Sequence, residues 1–311
     1  MRTRRLRTKV AAAVALLLAA GLGATTTLTG ASASATAASR TAPSSSRAAL
    51  LRDLEGQAGK GTPANRLASP NQALPRGWSR SRDEVLAVQG DSAGLHVLVA
   101  GESSGYAWRT VTTLGAPGVE TSQWIGQACL TGSGKFAVVV YAPREVTNMA
   151  GLMGVLGRAA VVTLATGRVR QLGGGFSVAY FDPGCGTGND VVMTHGGWGG
   201  DTPELPANTG LQVVNAATAK TVSEVTEPGQ VTSAVPYGTS IVAAGRQGLV
   251  QISTSGKARL LVRSAAIPFR LVPDSAAGIG YETLGGSQVQ VHRFAQGKAS
   301  LIARAALGSV Q

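Results

Sequence analysis

One short turn recurs four times along this chain, and it limits the fold more than any other feature. Ala165-Thr166-Gly167-Arg168, Ala217-Thr218-Ala219-Lys220, Thr254-Ser255-Gly256-Lys257 and Ala295-Gln296-Gly297-Lys298 are versions of the same four residues. Each joins two short apolar runs. A second turn type alternates with it, at residues 91–94, 131–134, 186–190, 236–240 and 273–277. Self-similarity at a period of roughly 37 to 52 residues, with two hairpins per period, is the signature of a β-propeller built from four-stranded blades.

Strand-forming runs dominate from Glu84 onward, rich in Val, Ile, Thr, Tyr and Leu and closed by Gly, Pro, Asn and Asp. The second unit reads as strands at 124–130, 136–141, 159–164 and 169–172. The third reads as 178–181, 191–194, 211–215 and 221–225, and the fourth as 232–235, 240–244, 249–252 and 258–262. The fifth reads as 269–272, 278–282, 289–294 and 299–303. The first unit offers 84–88, 95–100 and 106–114, with no clear fourth strand. Helical periodicity is nearly absent. These units predict an all-β chain, a propeller of about five four-stranded blades over residues 80–311. The alternatives are a β-sandwich or an incomplete propeller.

The ends read differently. Arg2, Arg4, Arg5, Arg7 and Lys9 precede an apolar run from Val10 to Leu22, and two Ala-Ser-Ala steps follow at 31–35. That is the layout of a secretion signal over residues 1–35. The run falls short of the roughly 20 residues that span a bilayer, so no stable membrane insertion is expected after cleavage. Residues 36–79 are rich in Ser, Thr and Ala and read as a flexible tether. The chain is therefore expected to be secreted and extracellular.

The formal charge of +12 suggests a nucleic-acid partner until it is located. Residues 1–80 hold 12 of the 28 Lys and Arg but only 2 of the 16 Asp and Glu. Most of the excess lies in the leader and tether, outside the predicted propeller. A nucleic-acid module needs its cations clustered on a folded surface, so no nucleic-acid partner is expected. The basic residue after each recurring turn (Arg168, Lys220, Lys257, Lys298) reads as a solvated hairpin edge that blocks stray strand pairing; the alternative is a ring that binds an anion.

Two cysteines, Cys129 and Cys185, each lie two residues before a Thr-Gly step and close the inner strand of their units. Equivalent positions on neighbouring inner strands can approach each other, and export favours oxidation. A disulfide is expected, and the spacing excludes a zinc site.

Two longer connections fall at the same place in successive units, at 143–158 and 196–210. In a four-stranded meander such connections share a face with the blade-to-blade links. Long loops on a rigid scaffold are where binding residues sit. The first offers Arg144 and Asn148, beside Glu145, Met149 and Met153; the second offers His195, Trp198, Asp201 and Glu204. An exposed Trp beside acidic groups could stack on a sugar or hold a peptide. The alternative is that Met149, Met153 and Trp198 only pin the loops down.

Catalytic constellations are missing. His96 and His292 lie inside strand runs, and no Gly-x-Ser-x-Gly elbow occurs. Gly132-Ser133-Gly134-Lys135 resembles the end of a P-loop, but Phe136 stands where Ser or Thr is required. Asp182, Asp190, Asp201 and Glu204 lack calcium-loop spacing, so no metal and no cofactor is expected.

Three stretches carry a family likeness: residues 123–129 (Gln-Trp-Ile-Gly-Gln-Ala-Cys), 138–144 (Val-Val-Val-Tyr-Ala-Pro-Arg) and 179–185 (Ala-Tyr-Phe-Asp-Pro-Gly-Cys). Together they resemble the amino-terminal propeller-like region of very large secreted actinobacterial proteins of unassigned role, over roughly residues 80–300. The resemblance implies an extracellular module and supplies no catalytic residues. The functional expectation is a secreted, non-enzymatic propeller that binds an extracellular glycan or protein, or acts as a scaffold. The alternative is a glycan lyase or glycoside hydrolase using Asp182, Asp201 and Glu204.

Overall fold

The structure, a computed structural model, describes residues 66–148, 156–178, 182–196, 208–274 and 278–307. It is a five-bladed β-propeller. Blade 1 pairs β1 (Glu84–Gly90), β2 (Leu95–Gly101) and β3 (Ala107–Leu114) in that order, and it has three strands where the others have four. Blade 2 holds β4 (Trp124–Leu130), β5 (Phe136–Pro143), β6 (Gly157–Thr163) and β7 (Val169–Phe176). Blade 3 holds β8 (Gly184–Cys185), β9 (Asp190–Gly196), β10 (Asn208–Asn215) and β11 (Lys220–Pro228). Blade 4 holds β12 (Val231–Tyr237), β13 (Ser240–Gly245), β14 (Gly248–Ser253) and β15 (Ala258–Arg263). Blade 5 holds β16 (Phe269–Pro273), β17 (Ile279–Gly285), β18 (Gln288–Ala295) and β19 (Lys298–Ala306). All pairings are antiparallel meanders.

The alternation of apolar side chains builds the stack. Along β5, Val138, Val140 and Ala142 face blade 3, while Ala137, Val139 and Tyr141 face blade 1. Along β13, Ile241 and Ala243 face blade 3, and Val242 and Ala244 face blade 5. Both faces of a middle blade are thus dry, and its second strand reads as a continuous apolar run. A sandwich would bury only one face of each sheet, so that alternative is set aside. Among the described residues the apolar clusters join blades 1 and 2, 2 and 3, 3 and 4, and 4 and 5.

The recurring turn works as its sequence suggests. Gly167, Ala219, Gly256 and Gly297 hold the same third position and all have positive φ, between 55° and 77°. Glycine suits that backbone, and Ala219 adopts it at a steric cost.

Two features depart from the sequence reading. The inner strand of blade 3 is Gly184–Cys185 rather than 178–181. It pairs with Val192 and Val191 only, because Pro183 has no N–H with which to extend the ladder. Residues 179–181 lie outside the described residues. The second departure is the direction of blade 1. Between blades 2 and 3 like ends meet, since the Gly132 N–H donates to the Gly186 carbonyl at 3.2 Å. Blades 4 and 5 behave likewise, with the Thr232 hydroxyl donating to the Pro268 carbonyl at 2.6 Å. In blade 1, the last residues of β1 meet the first residue of β4: the Trp124 N–H donates to the Asp91 carbonyl at 2.8 Å. At the opposite end the Arg109 guanidinium donates to the Leu164 carbonyl at 3.3 Å. Blade 1 is therefore inverted relative to blade 2. With three strands rather than four, its chain enters at the end opposite to the other blades and still leaves beside the start of β4, which nine residues reach.

Among the described residues, no helix is long and apolar enough to cross a membrane.

Candidate functional site

The end of the propeller where β4, β12 and β16 begin is termed the entry face. Both long connections leave from it. The first runs between Pro143 and Gly157, the second between Gly196 and Asn208. Both are shorter than the sequence suggested, because β5, β6 and β10 extend into them.

Arg144 begins a short 3-10 turn, Arg144–Asn148, at the root of the first connection. Its N–H donates to the Gln123 carbonyl at 2.9 Å, and its Nη1 donates to Gln123 Oε1 at 3.2 Å. Gln123 Nε2 in turn donates to the Gly90 carbonyl at 3.2 Å, which ties blade 2 to inverted blade 1. Glu145 accepts from the Thr121 hydroxyl at 2.7 Å, and that bond holds its carboxyl below the usual range. Asn148 closes the turn.

His195 is the last residue but one of β9, at the root of the second connection. Its Nε2 lies 3.1 Å from Glu224 Oε1, with both side chains partly exposed. The ring lies against its cross-strand partner Gly210, where a Cβ would come within 2.2 Å of Cε1. Arg144 and His195 thus stand on one face but in separate hydrogen-bond groups. Trp198, Asp201 and Glu204 lie outside the described residues, as do Met149 and Met153.

Inversion of blade 1 brings a further group to this face. His96 Nε2 lies 2.9 Å from Asp91 Oδ2, and its Nδ1 lies 2.9 Å from Thr113 Oγ1. The His96 bond leads the causes that hold the Asp91 carboxyl below its ordinary value. The sequence placed His96 in a strand, which is correct, and gave no sign that blade 1 turns this end toward the two connections.

A cavity of about 310 Å³ lies between the inner strands of blades 2, 3 and 5, at the half of β4 away from the entry face. Its wall includes Gln127, Asp182, Arg270, Leu271 and the Cys129–Cys185 disulfide, whose Cα atoms are 5.7 Å apart. Asp182 is buried, and its Oδ2 accepts from the Thr194 hydroxyl. Burial pushes its carboxyl up to about 7, against the smaller opposing effect of the Thr194 bonds. Arg270 pairs with Glu282 through Nη1, at 3.2 Å, and holds a positive φ of 49°.

No family model matches the chain, and no curated protein matches it. Solved structures similar to it include TolB from Acinetobacter baumannii, at 12% identity and a TM-score of 0.47, covering 75% of this chain and 55% of that one. Oligogalacturonate lyase in complex with manganese is 12% identical over 71% of this chain and 62% of that one, with a TM-score of 0.45. The β-propeller domain of the Trilobed protease from Pyrococcus furiosus is 10% identical over 72% of this chain and 81% of that one, with a TM-score of 0.42. The chain thus spans less than two thirds of the first two structures.

Proposed function

We propose that this protein is an exported propeller whose entry face binds an extracellular glycan or protein, without catalysis. The observation that carries the reading is the position of its two longest connections. Both leave one end of a rigid stack, with Arg144 and His195 at their roots. Polar and charged groups of three blades therefore border the same face. Export is supported by the basic and apolar leader and by the disulfide, which belongs to oxidising compartments. Membership of the large secreted actinobacterial group is part of the same proposal.

A second reading, a glycan lyase or hydrolase, draws on Asp182 alone. A carboxyl that keeps its proton near neutral pH suits a general acid. A glycosidase needs a second carboxyl about 5–10 Å away, and Asp201 and Glu204 were the candidates for it.

A glycan and peptide array probed with the purified protein, followed by product analysis of each hit, separates the readings. Binding with intact ligand supports the first. Turnover that Asp182→Asn removes from a folded protein supports the second. An array with no hit overturns the binding proposal.

A further inference from the structure

Blade 1 runs the other way because its first strand stands where the other blades have their second. β1 ends at the entry face, as β5, β9 and β13 do, and there it meets the start of β4 through the Trp124–Asp91 bond. At the opposite end Arg109, near the start of β3, donates to the Leu164 carbonyl at the turn between β6 and β7. Arg170, near the start of β7, makes the same bond one blade on. Its Nη1 donates to the Ala217 carbonyl at 2.9 Å, in the turn between β10 and β11. β3 therefore matches β7, a fourth strand, and β1, β2 and β3 hold the second, third and fourth places. Among the described residues no strand holds the first place of blade 1.

Two further observations mark that place. Elsewhere the inner strands touch one another: the disulfide joins β4 to β8, and Gly184 of β8 lies against the Ala234 carbonyl of β12. The Leu271 N–H of β16 donates to Ser233 Oγ of β12 at 3.1 Å. Between β16 and β4 lies the cavity instead. The other observation is the inner edge of β1. The Glu102 N–H donates to the Asp83 carbonyl at 2.9 Å and the Asp91 N–H to the Gly94 carbonyl at 3.0 Å, with unbroken register between them. The period of two then gives Val85, Ala87 and Gln89 to the β2 ladder, and turns the N–H and C=O groups of Glu84, Leu86 and Val88 the other way. Among the described residues no group bonds to that edge of these three. No residue of β1 is buried, whereas β5, β9 and β13 are each buried over at least four in a row.

We propose that this edge of β1 captures an extended strand of a partner protein, which runs antiparallel to β1 and completes blade 1. Unpaired N–H and C=O groups alternating along a strand edge are matched in spacing by another extended backbone. Strand residues opposite Leu86 and Val88 share their face, which packs on the apolar cluster of blades 1 and 2, so apolar residues belong there. Glu84 is exposed where the captured strand finishes, which favours Lys or Arg at its carboxyl end. The inference does not depend on the entry-face reading, since none of these residues belongs to the two long connections.

The test uses the purified protein and a fluorescein-labelled peptide with the sequence of β4, Cys129 replaced by Ser and one Lys added at the carboxyl end. Saturable binding by fluorescence anisotropy is expected. Two further peptides are N-methylated at the positions of Ile125, Gln127 and Cys129, or of Gly126, Ala128 and Leu130. One set of amides faces β1 and the other faces away, so one peptide should bind like the parent and the other about tenfold or more weaker. Amide hydrogen exchange by NMR should show Leu86 and Val88 unprotected in the free protein beside protected Ala87 and Gln89, and protected once the peptide is added. Leu86→Pro removes an outward N–H without touching the β2 ladder, and should weaken the peptide about tenfold or more. No saturable binding at millimolar concentration, equal affinity of the two methylated peptides, or Leu86 and Val88 already protected in the free protein overturns the proposal. So does a folded Leu86→Pro protein that binds as the native one does. If that variant does not fold, the methylated pair and the exchange data on the native protein decide it.

Discussion

Cys129 and Cys185 tie the inner strand of blade 2 to that of blade 3, and they are 56 residues apart in sequence. Everything in the loop they close belongs to blade 2 or its link to blade 3. In the unfolded chain that loop would otherwise explore freely, and the chain-entropy argument gives a stabilisation of about 4 kcal/mol. Strands on either side are already held, since Gly132 bonds Gly186 beside the bridge. The Cys129→Ala, Cys185→Ala double variant is expected to fold and to lose up to about 4 kcal/mol in urea denaturation. A loss below about 1 kcal/mol would show that the bridge does not restrain the unfolded chain in this way.

Close approach of inner strands makes a second test. An ideal Cβ at Gly184 would lie 1.8 Å from the Ala234 carbonyl oxygen in blade 4. That atom is main chain and cannot rotate away, so Gly184→Ala must push two blades apart. Overpacking of this kind costs typically 1–3 kcal/mol and sometimes more; the upper end is expected here. Gly188 is the matched control, because a Cβ there meets nothing within 4 Å. Gly188→Ala should be neutral or stabilising by up to about 1 kcal/mol. Equal melting temperatures for the two variants would contradict the described blade packing.

The repeat was legible because turn chemistry is local. Gly167, Gly256 and Gly297 announce a positive φ by residue type, and Ala219 follows only through its alignment with them. Strand 136–141 could be read from its unbroken apolar run, since a middle blade buries both faces. Cys129 and Cys185 could be paired because each closes an inner strand at the same register. The inversion of blade 1 could not be read. It depends on which end of β1 meets Trp124, a long-range contact with no local signature. Asp182 was noticed only as one carboxylate among several. Its burial arises where Pro183 interrupts the inner ladder and Thr194 folds over it, and neither residue type alone predicts that. The connections holding Trp198, Asp201 and Glu204 lie outside the described residues, so that part of the candidate site rests on sequence alone.

Asp182 also sets a pH dependence. Its folded carboxyl titrates at about 7, above the ordinary value of 3.8 that it has unfolded. The folded state therefore holds the extra proton between those values, and the contribution of Asp182 to stability is greatest below pH 4. It should fall as pH rises from about 4 to 7, by at most about 1.4 kcal/mol per unit, and flatten above. Asn is close to isosteric and does not titrate, so Asp182→Asn should lose this slope. Urea denaturation at pH 5 and pH 7 measures both proteins. A wild-type protein no less stable at pH 7 than at pH 5 relative to Asp182→Asn would show that the carboxyl is not buried as described.

The entry face makes the last prediction, because its residues should matter for binding far more than for stability. His195 and Glu224 form a half-exposed pair, and such pairs contribute at most about 1 kcal/mol. Arg144 is exposed, and among the described residues its guanidinium reaches Gln123. Trp124 is the contrast: it is 2% exposed and packs on Tyr141 with ring centroids 5.8 Å apart. Trp124→Ala should cost about 3–5 kcal/mol of stability. Arg144→Ala, His195→Ala and Trp198→Ala should leave the melting temperature nearly unchanged while weakening an array-identified ligand, each by about 1–3 kcal/mol where it makes contact. Trp198 is the sharpest of the three, since a large amphipathic ring can stack on sugar or peptide at low entropy cost. If Trp198→Ala instead lowers the melting temperature and leaves affinity unchanged, the ring pins its loop, and the second connection is not part of the binding surface.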